Sequence, residues 1–514
     1  MKTTSDAESG RRVLFILAAA SLVALDLAWQ WWLVAAAPYP ARYDYDEGVY
    51  AATAAAAADG NPLYTSAFLS QPPLLIGVLA HTFTTFGRSL ASARGTVVAF
   101  SSLWLAGLAA IAVRTGGFRA AVWAVAIAAS APAFVVASHT VQMEGPAEVF
   151  AALSVALGFA AGLRTRHDAG SMRAALWASA GVAAGLAVMT KLTALTCFAP
   201  LIVVLVWRNP ETPARRRTAF AALLAGGAAL AAVAALVCTR SLSMEMWRQT
   251  VTFHTAVARL NPPDLSRTGA LLAAFAAANW FSVALGLAGL ASVLPRWRYR
   301  DFDLRAAEPG GVAAAVSRRA VAVWLAVDVA ALLVWRPLWP HHFAILVTPL
   351  AVLAALTAEI IWRRAGLTGP RGSMRQGWWA SPLVPVALTA VWLFPLTATI
   401  AAAVPEGSAT LQAAVAQTGL AVPPAAEVVT DDPLVAFLAN RSILPTLCDT
   451  SEMRMRAGWL TVTALRAALR DPRVRGIVLW RGTFRRMAPE FVNDAMNRFP
   501  RRWTAAPGRL ILAR

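Results

Sequence analysis

The stretch Tyr43-Asp44-Tyr45-Asp46-Glu47-Gly48-Val49-Tyr50 sets two adjacent carboxylates, Asp46 and Glu47, just before a helix-like run, Gly48–Ala58. At a helix N-terminus the backbone dipole favours an ionised carboxylate. A carboxylate held this way can act as a general base toward a hydroxyl. A plain N-cap on a solvated loop uses the same residue types, and pattern alone does not separate the two. Tyr50, in the same stretch, is a candidate for holding substrate. Glu144, in Gln142-Met143-Glu144-Gly145, opens a later apolar run and is the second candidate acid, with Glu148 one helical turn further on. Residues at i and i+4 share a helix face, so Glu144 and Glu148 are expected to point into one cavity. Lys191 ends the run Gly181–Thr190, and Arg336, His341 and His342 flank the Pro337-Leu338-Trp339-Pro340 break. Cations at the edge of a bilayer suit a lipid phosphate, although lysine and arginine also snorkel to bulk headgroups. His139 is a weaker candidate of the same kind.

The elements that must position these groups are transmembrane helices. Of the 514 residues 58% are hydrophobic and 14% are charged, against about a quarter charged in soluble domains. The apolar residues come in long runs separated by short arginine-rich breaks. The net charge of +19 therefore reads as loop arginines and not as a nucleic-acid surface. Cys197, Cys238 and Cys448 form no disulfide or metal pattern. Arg11 and Arg12 lead into a first span, Val13 to Ala37, that reads as uncleaved.

Runs long enough to span occur at 13–37, 94–113, 118–137, 144–163, 172–190, 192–207, 218–238, 270–294, 320–336, 342–362 and 380–403, which makes eleven. The run 72–87 is short of the roughly 20 residues a span needs and is assigned to the membrane surface. With that assignment and a cytoplasmic N-terminus, the arginine-rich loops 114–119, 164–173, 208–217, 295–319 and 363–375 all lie inside. The loop 38–93, the segments 138–143, 239–269 and 337–341, and the tail after about residue 404 then lie outside. The expected organisation is a polytopic α-helical membrane module over 1–403, with the acidic motif in its external loop 38–93, and a small extracytoplasmic α/β domain over 404–514. In the tail, strands are expected at Ala426–Thr430, Ile443–Cys448, Gly476–Trp480 and Arg509–Ala513, with helical stretches at Leu434–Ala439 and Leu460–Arg470. Asp26 and Asp328, inside apolar runs, are read as buried interhelical hydrogen-bonding groups.

Taken in order, Asp46-Glu47, Gly60-Asn61-Pro62-Leu63-Tyr64, Pro72-Pro73-Leu74, Met143-Glu144, Gly185–Lys191 and His341-His342 running into the Pro349-containing span carry a resemblance. Over roughly residues 10–362 the chain resembles the GT-C superfamily of polytopic glycosyltransferases. The likeness is to the bacterial branch similar to protein O-mannosyltransferases and to the lipid A aminoarabinose transferase. The resemblance implies inverting sugar transfer from a polyprenyl-phosphate donor at the extracytoplasmic face of the plasma membrane. It implies Asp46 as the base, Glu47 as its partner in an acidic pair, and Glu144 as the second acid. On the resemblance Lys191, His341 and His342 become phosphate ligands; Arg336, from its place beside the Pro337–Pro340 break, stays a candidate substrate ligand. Gln71 departs from the aminoarabinose transferases, which carry a lysine before Pro-Pro, and no external β-trefoil is evident. The acceptor class stays open between lipid, glycan and protein. No cofactor is demanded; the chemistry leaves room for a divalent cation without requiring a metal site. A transporter or flippase of a lipid-linked substrate is the alternative, and it would place its polar groups near the midplane.

Overall fold

The computed structural model describes residues 4–36, 44–162, 170–206, 214–294, 309–364 and 407–514, together with residue 385. The expected eleventh span, 380–403, and much of the loops 164–173, 208–217, 295–319 and 363–375 lie outside the described residues.

Among the described residues sixteen helices build the first part: α1 (Thr4–Ala36), α2 (Tyr45–Ala58), α3 (Leu74–Phe86), α4 (Leu90–Gly116), α5 (Phe118–Ala129), α6 (Pro132–His139), α7 (Glu144–Gly162), α8 (Gly170–Thr190), α9 (Phe198–Val206), α10 (Ala214–Cys238), α11 (Met244–Trp247), α12 (Phe253–Leu260), α13 (Leu265–Ala278), α14 (Trp280–Val293), α15 (Pro309–Val334) and α16 (Val347–Arg364). Six helices among the described residues are long and apolar enough to cross a membrane, or up to eight if each of two bent pairs is one span. The expected span 118–137 is such a pair, α5 and α6 meeting at 73°, and 270–294 is another, α13 and α14 at 99°. Pro132 at the start of α6 accounts for the first break, since it donates no backbone hydrogen bond. The 72–87 run forms the 13-residue α3, below the length of a span. Helices α8 and α10 pack at backbone distance, Gly181 and Gly185 against Leu224 and Ala228, and Gly227 against Ala178. Small residues permit such close helix contacts where the surrounding lipid offers no hydrophobic drive.

The tail is a five-stranded sheet in the order β2-β1-β3-β5-β4, with β1 (Glu427–Thr430) parallel to β2 (Ser442–Ile443) and β3 (Val474–Leu479), and β5 (Arg509–Ala513) antiparallel to β3 and β4 (Arg501–Ala506). The expected helices form as Pro433–Leu438 and Val462–Ala468. The second strand is shorter than expected, because the chain turns into a 3-10 segment at Pro445–Leu447. Strand β4 falls outside the expected set: Arg501-Arg502 opens it, and it forms the edge of the sheet.

Two cores divide the molecule differently from the chain order. One joins residues of α1, α4, α5, α7, α8, α15 and α16. The other joins α2 and α3 to the tail, with Val49, Leu63, Leu75 and Leu79 packed among Leu434, Val435, Ile477 and Phe484. The helices of the first external loop thus share their apolar interior with the tail. At Gly48 a side chain has no room: a Cβ there would stand 2.5 Å from the backbone nitrogen of Leu434.

Candidate active site

Helix α2 begins at Tyr45, so the cap is Asp44, whose side chain accepts from the backbone N–H of Asp46 at 2.9 Å. Asp44 also takes a 2.5 Å bond from Gln142 Nε2. With capping done by Asp44, the carboxylate of Asp46 is left free of the helix end. Its side chain is 35% exposed and its Oδ2 lies 3.7 Å from His341 Nε2. His341 Nε2 lies 3.6 Å from Glu144 Oε1 in turn. The ammonium of Lys191 pairs with that same Glu144 oxygen, and both side chains are sealed from bulk water. Asp46, His341, Glu144 and Lys191 therefore form one ionic chain drawn from four separate segments.

Local structure explains each placement. Glu144 is the first residue of α7. Lys191 is an extended residue between the end of α8 and a 3-10 segment, Leu192–Cys197, so its side chain leaves the helix at a break. His341 and His342 lie in a 3-10 segment, Pro340–Leu346, that Pro340 starts. His342 Nδ1 accepts from the Trp339 backbone N–H at 3.2 Å, which fixes the ring. Burial raises the Asp46 carboxyl to about 6; the His341 charge opposes this, and Asp44 and Glu144 add to it. A carboxylate tuned near neutrality is well matched to removing a hydroxyl proton.

Glu47 is placed differently from Asp46. It is fully buried and takes two 2.8 Å bonds from Arg94, at Nε and Nη2, and a 3.0 Å bond from the Val141 backbone N–H. This bidentate pair ties α2 to α4 and to the segment before Glu144, and no ion pair joins it to the ionic chain among the described residues. Tyr50 lies one turn after Asp46 and is 6% exposed. Burial, with the charges of Asp46, Glu144, Asp44 and Asp449, pushes its phenol well above the usual value. Arg336 donates to the Trp335 carbonyl at 2.8 Å and forms no ion pair with these carboxylates among the described residues. His139 sits in α6 with Nδ1 on the Val135 carbonyl.

Glu148, one turn further into α7, has a different hydrogen-bond partner from Glu144. It accepts from Thr348 Oγ1 at 3.3 Å, and Thr348 accepts from Trp104 Nε1 at 2.8 Å. Its charged neighbours are Asp328, buried in α15, and Glu144. Asp26 is bonded within its own helix, by Gln30 at 3.3 Å, where an interhelical partner is expected.

Residues that sequence reasoning missed surround the site. Gln249, in a π-helical turn over Arg248–Thr252, bonds the Leu69 N–H at 3.0 Å and the Tyr64 carbonyl at 2.6 Å. His254 Nε2 holds the Ser70 carbonyl at 2.7 Å, and burial pulls its pKa below the usual value. These two brace the loop that runs into α3. Asp449, from the tail, accepts from the Tyr45 hydroxyl at 3.2 Å. Glu144, His341 and His342 bring ligand atoms within 4.8 Å of one another, a set that could hold a metal ion.

Comparison with known proteins gives a partial family match and a fold shared with solved structures. Residues 70–238, under half of the chain, match the family described as dolichyl-phosphate-mannose-protein mannosyltransferase. No curated protein matches the sequence. The crystal structure of ArnT from Cupriavidus metallidurans bound to undecaprenyl phosphate superposes with a TM-score of 0.66 over 98% of this chain and 98% of that one, at 15% identity. The Archaeoglobus fulgidus oligosaccharyltransferase in the apo form gives 0.53 over 90% of this chain and 69% of its own, at 12% identity. AglB from Archaeoglobus fulgidus in complex with an inhibitory peptide and a dolichol-phosphate gives 0.52 over 90% and 69%, at 12% identity. The chain therefore shares the fold of these solved structures, over 98% of its length for the first of them.

Proposed function

We propose that this chain is an inverting glycosyltransferase that moves a sugar from a polyprenyl-phosphate donor to an acceptor hydroxyl at the extracytoplasmic membrane face. The observation that carries the reading is the ionic chain itself: a partly open carboxylate, Asp46, adjoining a histidine that is linked through Glu144 to a lysine. ArnT was crystallised with undecaprenyl phosphate and AglB was solved in complex with a dolichol-phosphate, so proteins of this fold accept polyprenyl-phosphate lipids. The family matched over 70–238 is named for a dolichyl-phosphate sugar donor. A transporter has no comparable support, since the matched family and these structures are transferases.

In the proposed reaction Asp46 takes the acceptor's hydroxyl proton as the oxygen attacks the anomeric carbon. The bond from that carbon to the phosphate oxygen breaks, and the phosphate leaves with the electron pair. Single displacement inverts the anomeric centre. Polyprenyl phosphate is already a fair leaving group, so the site needs positive charge near it more than a strong acid. Lys191 supplies that charge, His341 is placed to hydrogen-bond the phosphate, and Arg336, on the same inter-helix segment as His341, is a further phosphate ligand. Glu144 holds Lys191 and His341 in place, and Glu47 acts on Asp46 only by anchoring α2 through Arg94. A divalent cation held by Glu144, His341 and His342 would supply Lewis-acid stabilisation of phosphate charge; Lys191 meets the same Glu144 oxygen and would compete with it. On the loop-charge assignment the N-terminus is cytoplasmic and the tail is extracytoplasmic.

The test is transfer from a panel of polyprenyl-phosphate sugars by wild type and Asp46→Asn. The variant is expected to purify as wild type does and to lose transfer. Wild-type turnover by the variant would remove Asp46 from the role of base.

A further inference from the structure

The tail, residues 407–514, holds fifteen arginines, no lysine and eight acidic side chains. Three of the arginines, Arg466, Arg470 and Arg498, line one cavity of about 320 Å³ that is open to water, together with Leu469, Asp494 and Asn497. One wall is the end of the helix Val462–Ala468 and the two residues after it; the other is the last turn of the helix Pro489–Arg498. Asp494 Oδ2 accepts from Arg466 Nε at 2.6 Å, and Glu490 Oε2 lies 3.5 Å from Arg466 Nη1, so both carboxylates of the second helix are spent on one arginine. Asp471, next to Arg470 in sequence, is taken by Arg473 at 2.8 Å. Arg470 and Arg498 are exposed and form no ion pair among the described residues. A fourth guanidinium stands beside them. Arg514 Nη2 donates to the Leu469 carbonyl at 2.8 Å, and its guanidinium carbon lies 5.0 Å from the centre of the Phe499 ring, so it meets the neighbours of both Arg470 and Arg498. A cation in the last turn of a helix is favoured by the helix dipole, which accounts for Arg466 and Arg498. It does not account for Arg470 and Arg514, whose charge at the same place adds repulsion.

We propose that this cavity binds an acidic sugar unit of a glycan, one that carries a carboxylate or a phosphate. An anion between the two walls relieves the repulsion among the arginines, and the planar guanidinium fork matches the oxygen pair of either group. The remaining polar groups suit the hydroxyls of a sugar ring. Asn497 offers both a donor and an acceptor, and the second oxygen of Asp494 is a further acceptor. The volume is at the lower end of the range for small-molecule sites, larger than a bare oxyanion needs. A bilayer is the other anionic surface near a membrane protein, and the tail is not built to lie on one. Elements that bind membrane surfaces set bulky apolar side chains among their cations. In the tail Leu420 is the only exposed large hydrophobic side chain among the described residues, and it is not part of the cavity. The inference is independent of the transferase reading, because binding is read without donor or turnover.

The experiment titrates the full chain, in nanodiscs of neutral phosphatidylcholine at physiological ionic strength, with four probes: tetragalacturonate, phosphorylated maltotetraose, plain maltotetraose and tetraglutamate. Wild type is expected to bind at least one of the two acidic oligosaccharides and not plain maltotetraose. Arg470→Gln and Arg498→Gln should each weaken that binding about threefold, and together about tenfold, the scale of exposed charge-assisted pairs, with the thermal midpoint unchanged. Arg485→Gln removes an exposed arginine outside the cavity and should leave the affinity as it is. Equal weakening by Arg485→Gln would reduce the effect to the overall charge of the tail and overturn the site. A lowered midpoint with unchanged affinity in the double variant would confine the arginines to stabilising helix ends, which also overturns it. Tetraglutamate bound as tightly as the acidic sugars would make the partner an acidic peptide and overturn the glycan assignment. If wild type binds neither acidic oligosaccharide, the site is refuted, whatever the chain does with polyprenyl-phosphate sugars.

Discussion

The acid limb of the pH–rate profile is the most discriminating consequence of the site. Burial raises Asp46 to about 6, and catalysis as proposed needs its ionised form. At that value the carboxylate is about nine-tenths ionised at pH 7 and about one-tenth at pH 5. Transfer should therefore fall about tenfold as pH drops from 7 to 5. A carboxylate at its ordinary value of about 3.9 would stay more than nine-tenths ionised over that range and give an almost flat profile. His341 is the main charge opposing the shift, at 3.7 Å from Oδ2. The Coulomb energy at that distance is about 4 kcal/mol at an effective dielectric of 20 and about 1 kcal/mol in water. Because Asp46 is 35% exposed, solvent screening favours the lower figure, which corresponds to about one pKa unit. His341→Gln should thus move the acid limb up by about one unit while lowering the maximum rate. The assay is kcat/KM from pH 4.5 to 8.5 at saturating acceptor, with thermal unfolding at each pH to exclude loss of fold. A flat wild-type profile from 5 to 7 would refute the tuned carboxylate. A limb that disappears in His341→Gln would assign the titration to the histidine.

Two further outcomes test the frame that holds the site. Arg94→Leu leaves Glu47 buried without its cation and should cost about 3–5 kcal/mol, read as a lowered unfolding midpoint; wild-type stability would show that the pair anchors nothing. A reporter fused after residue 404 should be active only outside the cytoplasm, and a cytoplasmic signal would invert the assignment drawn from the loop arginines.

The acids are legible in the sequence because charge is scarce in this chain and each acid sits at a helix edge, where its type and place both carry information. Which acid does what is not legible. Asp46 and Glu47 are neighbours in sequence, but successive side chains on a helix point about 100° apart. One therefore meets His341 and the other is consumed by Arg94. Asp44, the acid that no motif singles out, takes the cap. The spacing of Glu144 and Glu148 is equally ambiguous: a shared face does not mean a shared partner, and one turn of α7 is enough to pass from Lys191 to Thr348. Long apolar runs survive as helices, while breaks inside them, at Pro132 and near Asn279, redirect the chain without changing its composition.

The tail shows where local pattern runs out altogether. Its strands announce themselves by alternation and apolar content, but nothing in Cys448-Asp449-Thr450 signals Tyr45, 404 positions before Asp449, as a partner. That contact exists because α2 and α3 are too short and too apolar on one side to stand alone in water, and they complete their core with Leu434, Val435 and Phe484. Gly48 is what lets the two surfaces close, since any side chain there would meet the backbone of Leu434. The helix that carries Asp46 is consequently gripped from both sides, by Arg94 in the membrane module and by Asp449 and Thr450 in the tail. A base that must meet a lipid-borne donor on one side and a second substrate on the other is well served by a short helix belonging to neither module alone.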